Sequence, residues 1–398
     1  MLKNPDEDTD LKKKKILRYS LIIGIILFII VIVIIIVVVV TKKKSNDSNS
    51  NTETDSYWNN LIPIPSEEEL KELKTKAYSI TTSMTQEEIQ EILSDNSYQI
   101  ILFKKGIYNL KIESDKKING FSFSRKRYVI LEKDVIFNVV GEPFKRFTDY
   151  YAIIFVRVEA TEEDPMIFIG TLEINGNRNP AIDANYKRQS GMGIAMYSSK
   201  NIYFQEIISY DNHGDGIYIG SGTGYGEGGE IQCYSCSNIR IGKATCKKNY
   251  RNGMSVIAGL NIIMNELYLE ESIGSLPEAG IDFEPNHSCE IIDININKIF
   301  TKRNNKCGLT TGPSNSESIK VNINEVHSDH DSLSYKTGNF GFFAEKKQCD
   351  KVLYFYHIKN VYFNIVEGRD RDKDKYIVSQ NWGTDCHKLE IDNINYID

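Results

Sequence analysis

Residues 251–264 read RNGMSVIAGLNIIM, and two short patterns meet in them. One begins at a glycine, Gly253-Met-Ser-Val, and the other at an asparagine, Asn261-Ile-Ile-Met264. The asparagine pattern recurs as Asn201-Ile-Tyr-Phe204, Asn238-Ile-Arg-Ile241, Asp293-Ile-Asn-Ile296, Lys320-Val-Asn-Ile323, Asn360-Val-Tyr-Phe363 and Lys388-Leu-Glu-Ile391, apolar at the second and fourth positions each time. The glycine pattern recurs from Gly193, Gly216, Gly280, Gly308 and Gly341. Phe204 to Gly216, Ile241 to Gly253 and Ile296 to Gly308 are each twelve residues apart. Short strands with one apolar face, repeated at intervals too short for a four-stranded propeller blade, predict a solenoid in which each repeat buries its apolar ladder against its neighbours. A sandwich or propeller is the alternative architecture. The fold class read here is all-β, a right-handed parallel β-helix over residues 80–398.

Upstream, Thr85–Leu93 (TQEEIQEIL) has a threonine N-cap, acidic residues in the first turn and Ile89, Ile92 and Leu93 on one face. It predicts a short amphipathic helix that caps the first repeat. Leu21–Val40 is a run of twenty residues without a charge, about 30 Å of helix and the thickness of a bilayer core. It predicts a single membrane-spanning signal anchor. Lys12–Lys15 and Arg18 before it outnumber Lys42–Lys44 after it. The N-terminal tail 1–20 is therefore expected in the cytoplasm and everything beyond Val40 outside the cell or in a lumen. The sequons at Asn46 and Asn286 agree. Residues 41–79 read as a stalk and linker, polar throughout Ser45–Asp55.

The chain of 398 residues has a net charge of −6, which disfavours nucleic acid as a partner. Frequent Asn, Ile and Lys read as compositional bias. Seven cysteines, all in the second half, leave at least one unpaired within the chain; Cys233-x-x-Cys236 lacks the second pair that a zinc site needs.

With these patterns in place, the sequence resembles the pectate-lyase-like superfamily of right-handed parallel β-helix proteins. The resemblance rests on TQEEIQEIL followed by IILFKKGIYNL, TLEINGNRN at 171–179, YDNHGDGIYIG at 210–220, RNGMSVIAGLNI at 251–262 and AGIDFEPN at 279–286. It implies a lyase, hydrolase or epimerase acting on polysaccharide, or a protein that only binds one. YDNHGDGIYIG is similar to the aspartate-bearing strand of polygalacturonase-type hydrolases. The rest of that family's pattern is missing: there is no adjacent Asp-Asp pair, no Gly-His-Gly and no Arg-Ile-Lys turn. The Asp-Pro-His-Asp signature of alginate epimerases is missing too, and no arginine is placed clearly like the base of pectate lyases.

Alternation along the glycine-led strands turns Tyr218, Ser255, Asp282 and Thr310 outward if Ile217, Met254, Ile281 and Leu309 point inward. Asp282 and Glu284 then lie roughly 7 Å apart on one strand, a spacing suited to an inverting acid/base pair or to Ca²⁺. Asp215 and His213 stand nearby as further catalytic candidates. Tyr218, Ser255, Phe343 and Glu345 are candidates for binding a linear glycan. The plainer reading makes the acids solvated outward residues and Asp215 a turn residue. Asn212, Asn249 and Asn304 read as a structural ladder at the corners, and Gly220–Gly229 as a flexible loop. No metal site is assigned, Ca²⁺ being the only cofactor considered. A polysaccharide-acting enzyme is the leading expectation and a non-catalytic glycan binder the rival.

Overall fold

The computed structural model describes residues 57–112, 119–141, 152–178, 191–225, 231–285, 289–311, 318–331, 354–364 and 387–397. The chain divides into two compact units, Met1–Asn60 and Leu61–Asp398. Leu21–Val40 lies outside the described residues; among those described, no helix is long and apolar enough to cross a membrane.

Among its described residues the second unit is all-β apart from two short helices, with twenty strands, almost all parallel, in one hydrogen-bonded sheet. That arrangement is compatible with a parallel β-helix. One ladder runs through β8 (Met166–Asn175), β10 (Lys200–Tyr210), β12 (Ile231–Lys247), β14 (Gly259–Glu270), β16 (Ile291–Lys302), β18 (Ile319–Asp329), β19 (Tyr354–Asn364) and β20 (His387–Ile397). These are the asparagine-led strands, lengthened. A second ladder runs through β4 (Phe121–Phe123), β7 (Ala152–Val156), β9 (Met192–Tyr197), β11 (Ile217–Tyr225), β13 (Met254–Val256), β15 (Ala279–Phe283) and β17 (Cys307–Thr311). The remaining strands, β1 (Tyr78–Ile80), β2 (Ile100–Phe103), β3 (Gly106–Lys111), β5 (Tyr128–Leu131) and β6 (Val135–Val140), extend the first ladder toward the N-terminus.

The register stacks like on like. Ile202, Ile239, Ile262, Ile294, Val321 and Tyr356 form one buried column and Phe204, Ile241, Met264, Ile296, Ile323 and Ile358 another. Each fully buried side chain of this kind contributes roughly 1.5–3 kcal/mol relative to exposure. The asparagine that leads these strands sits at a corner: Asn201, Asn238, Asn261 and Asp293 all have φ of 51–57°. The left-handed region costs most residues about 1–2 kcal/mol and Asn or Asp less. Other asparagines stack along the first ladder, Asn138 on Asn109 and Asn175 on Asn138 at 3.0 Å, then Asn297 on Asn265 at 2.9 Å and Asn324 on Asn297 at 3.0 Å. The asparagine content is therefore structural at these positions rather than mere bias.

The glycines leading the second ladder have a different cause. A Cβ on Gly216 would stand 2.7 Å from the carbonyl oxygen of Gly253, and one on Gly253 would stand 2.6 Å from that of Gly280. Adjacent repeats approach too closely at this corner for any side chain.

The N-terminal helix is present as α2 (Gln86–Ser94), capped by Thr85 and Glu88, with Ile89, Ile92 and Leu93 buried. Its Gln90 amide accepts from Ser122 N and donates to Ser122 O, both at 2.8 Å, so the helix satisfies the edge of β4 as a strand would. The segment expected as linker holds two further elements: α1 (Glu67–Lys76), with a capping box between Ser66 and Glu69, and β1, which pairs with β2. Gly220–Gly229, expected as a flexible loop, begins instead as strand. Ser221–Tyr225 pairs with Ile231–Ser235 in an antiparallel hairpin, the one antiparallel pairing among the described residues. Cys233, midway along its second arm opposite Thr223, is disulfide-bonded to Cys289, which removes it from any zinc site; Cys236, Cys246 and Cys307 are buried thiols.

Candidate acid cluster

The second ladder aligns Ala195, Tyr218, Ser255, Asp282 and Thr310 across five strands, as the alternation predicts. Their surroundings differ from the open face expected. Ser255, Asp282 and Thr310 are all buried, as is Asp215 at the corner before β11. A polar column survives such burial only with partners for its charges, and Arg251 supplies them.

Arg251 sits at the corner before β13, with 5% of its side chain exposed. Its Nη1 donates to Asp215 Oδ2 at 2.9 Å and to Ser255 Oγ at 3.2 Å. Its Nη2 donates to Glu284 Oε2 at 2.9 Å and lies 3.5 Å from Asp282 Oδ2. Asn252 completes the frame: its backbone N–H donates to Asp215 Oδ1 at 3.1 Å, and its Nδ2 donates to Ser255 Oγ at 3.0 Å and Asp282 Oδ2 at 3.3 Å. Its Oδ1 accepts from Ala279 N at 3.0 Å, which fixes the amide orientation. Glu284 alone among the three acids reaches solvent, with 32% of its side chain exposed.

Asp215 and Asp282, two buried carboxyls sharing one guanidinium, cannot both ionise cheaply out of water. Burial pushes the Asp282 carboxyl up to about 8; Arg251 opposes this, while Glu284 and Asp215 add to it. Burial also raises Asp215, against the pull of Arg251. For Arg251 burial works against the charge, but Asp215, Asp282 and Glu284 together outweigh it and hold the guanidinium firmly protonated.

Asp215, Asp282, Glu284 and Ser255 are thus brought together. Because Asp282 and Glu284 share Arg251 Nη2, their facing oxygens lie closer than the roughly 7 Å expected. The guanidinium fills the gap between them. The same cation occupies the centre that a Ca²⁺ would need, so the cluster does not fit that ion. Among the described residues no group of three His, Cys, Asp or Glu side chains has metal-binding geometry.

His213 is buried at the corner before Asp215; Gly214 O next to it accepts from Arg251 N at 3.2 Å. Tyr218 belongs to a half-buried aromatic strip on the same face: its ring lies 5.4 Å from that of Tyr197, which lies 5.6 Å from that of Phe155. Phe343 and Glu345 lie outside the described residues. Arg251 and Asn252, which organise the site, escape a reading confined to strands because they stand in a corner; a cation beside a face rich in acids is the signal that points to them. The corner ladder is formed between Asn212 and Asn249 (2.8 Å) and between Asn304 and Asp331 (2.9 Å). Ser272 interrupts it. Compared with known proteins, the chain matches no family model, no curated protein and no solved structure.

Proposed function

We propose that this chain is a membrane-anchored, right-handed parallel β-helix protein of the pectate-lyase-like kind that cleaves a polysaccharide on the outer face of its second ladder. The convergence of Asp215, Asp282 and Glu284 on Arg251 carries the reading. Perturbed, clustered carboxyls beside an aromatic strip are a recurring property of sites that handle protons and sugars. In this reading Glu284 is the carboxyl that substrate meets, and Asp282 behind it is a proton-bearing acid near neutral pH. Arg251 and Asn252 position both. With Arg251 between the two acids there is no room there for the attacking water of an inverting pair. Any water would therefore be activated on the solvent side of Glu284. Asp215 takes a positioning role through Arg251.

The burial of Asp215, Ser255 and Asp282 favours a second reading, in which the cluster only stiffens the wall of a glycan-binding surface. The two part company in an assay of the detergent-solubilised full chain on a panel of polysaccharides, following new reducing ends and the absorbance of unsaturated uronates. Turnover that Glu284→Gln abolishes while the melting curve holds establishes the enzyme and tells hydrolase from lyase. Glycan binding without turnover selects the second reading.

A further inference from the structure

The way Arg251 is used bears on which sugar the face accepts, given the glycan reading above. Arginine recognises carboxylates by offering two parallel N–H groups as a fork. Both Nη atoms of Arg251 are already engaged, one by Asp215 and Ser255 and the other by Glu284 and Asp282. Its Nε is buried and has no hydrogen-bond partner among the described residues. A buried N–H left without an acceptor costs about 1–3 kcal/mol, and this one belongs to the side chain at the centre of the cluster. Enclosed by protein, it lies out of reach of an incoming sugar, so the guanidinium keeps no N–H to offer a carboxylate.

Charge points the same way. Three acids share one arginine at this site, and Glu284, the member facing solvent, is an acid. Lys306 is the other cation acting on Asp282, and Asn305 beside it is tied to Glu278 at 2.7 Å. An incoming uronate would set its carboxylate against Glu284 with no free fork to receive it. The aromatic strip Phe155–Tyr197–Tyr218, by contrast, suits the uncharged faces of pyranose rings.

We infer that the glycan recognised at this cluster is neutral, carrying no carboxylate on the residue that meets Glu284. The test is binding of the full chain in detergent micelles to xylan, mannan and cellulose oligosaccharides. Oligogalacturonate and oligomannuronate of equal length are the comparison, without added metal. The expected result is a neutral oligosaccharide bound at least tenfold more tightly than either uronate. Glu284→Gln should narrow the gap by improving uronate binding severalfold, with an unchanged melting curve. Uronates bound as tightly as or more tightly than neutral sugars would overturn the inference while leaving the glycan reading intact. Binding of neither class would overturn both.

Discussion

Asp282 and Asp331 are buried carboxyls for which folding favours the protonated form. Asp331 accepts from Thr301 Oγ1, Ser328 Oγ and both the backbone N and Nδ2 of Asn304, yet burial outweighs these donors and lifts it to about 6. Asp282 lies higher, at about 8. Both groups ordinarily titrate near 3.8. Because the folded values are raised, their contribution to stability is complete below that pH and is lost as pH rises through about 6 and then about 8. The melting temperature should therefore fall between pH 5 and pH 9, and Asp282→Asn should remove the upper part of the fall. A melting temperature that climbs over this range contradicts the assignment. Ser272 gives a second expectation at this scale. The Asn249 Nδ2 and Ser272 Oγ atoms are both buried without partners among the described residues, where an asparagine at 272 would continue the ladder to Asn304. Ser272→Asn should stabilise the protein by about 1 kcal/mol, read as a shift in denaturant midpoint; a lower midpoint would show that the corner lacks room.

At the scale of the element, the strands were legible because each obeys a period of two with glycine or asparagine at a fixed corner. The alignment of Tyr218 with Ser255, Asp282 and Thr310 follows from that period alone. Whether the aligned face is open does not follow, because covering it depends on segments distant in sequence. The α1 helix was legible in principle: Ser66 and Glu69 spell a capping box three residues apart, masked by a run of charges with no buried face. The hairpin on β11 was hidden because a glycine-rich strand lacks the side chains that announce one. The glycine column yields a sharp expectation. Gly253→Ala forces a Cβ to within 2.6 Å of Gly280 O, where backbone on both sides is fixed by ladder hydrogen bonds. It should cost about 1–3 kcal/mol, measured by denaturant unfolding. A neutral effect would mean that adjacent repeats can slide apart at this corner.

For the whole molecule, the ladders mean that each repeat is held chiefly by the repeat before and the repeat after it. A molecule of this kind has no single centre whose loss unfolds everything. The disulfide between Cys233 and Cys289 departs from that rule. Cys233 precedes the β12 segment that pairs with β14, and Cys289 precedes β16, so the bond reaches past the intervening repeat. Held by its two ends and stretched, the chain should surrender its repeats one after another from the termini. The two cysteines stand 56 positions apart in sequence, and the chain from one to the other forms a closed loop that cannot lengthen. At about 3.4 Å per residue, about 19 nm of contour stays out of the extension trace until a reductant opens the bond. Single-molecule pulling with and without reductant should differ by that length, and equal traces would mean that the loop carries no load. For a chain tethered at a cell surface, as proposed above, the staple makes the segment around the acid cluster the last to yield to force.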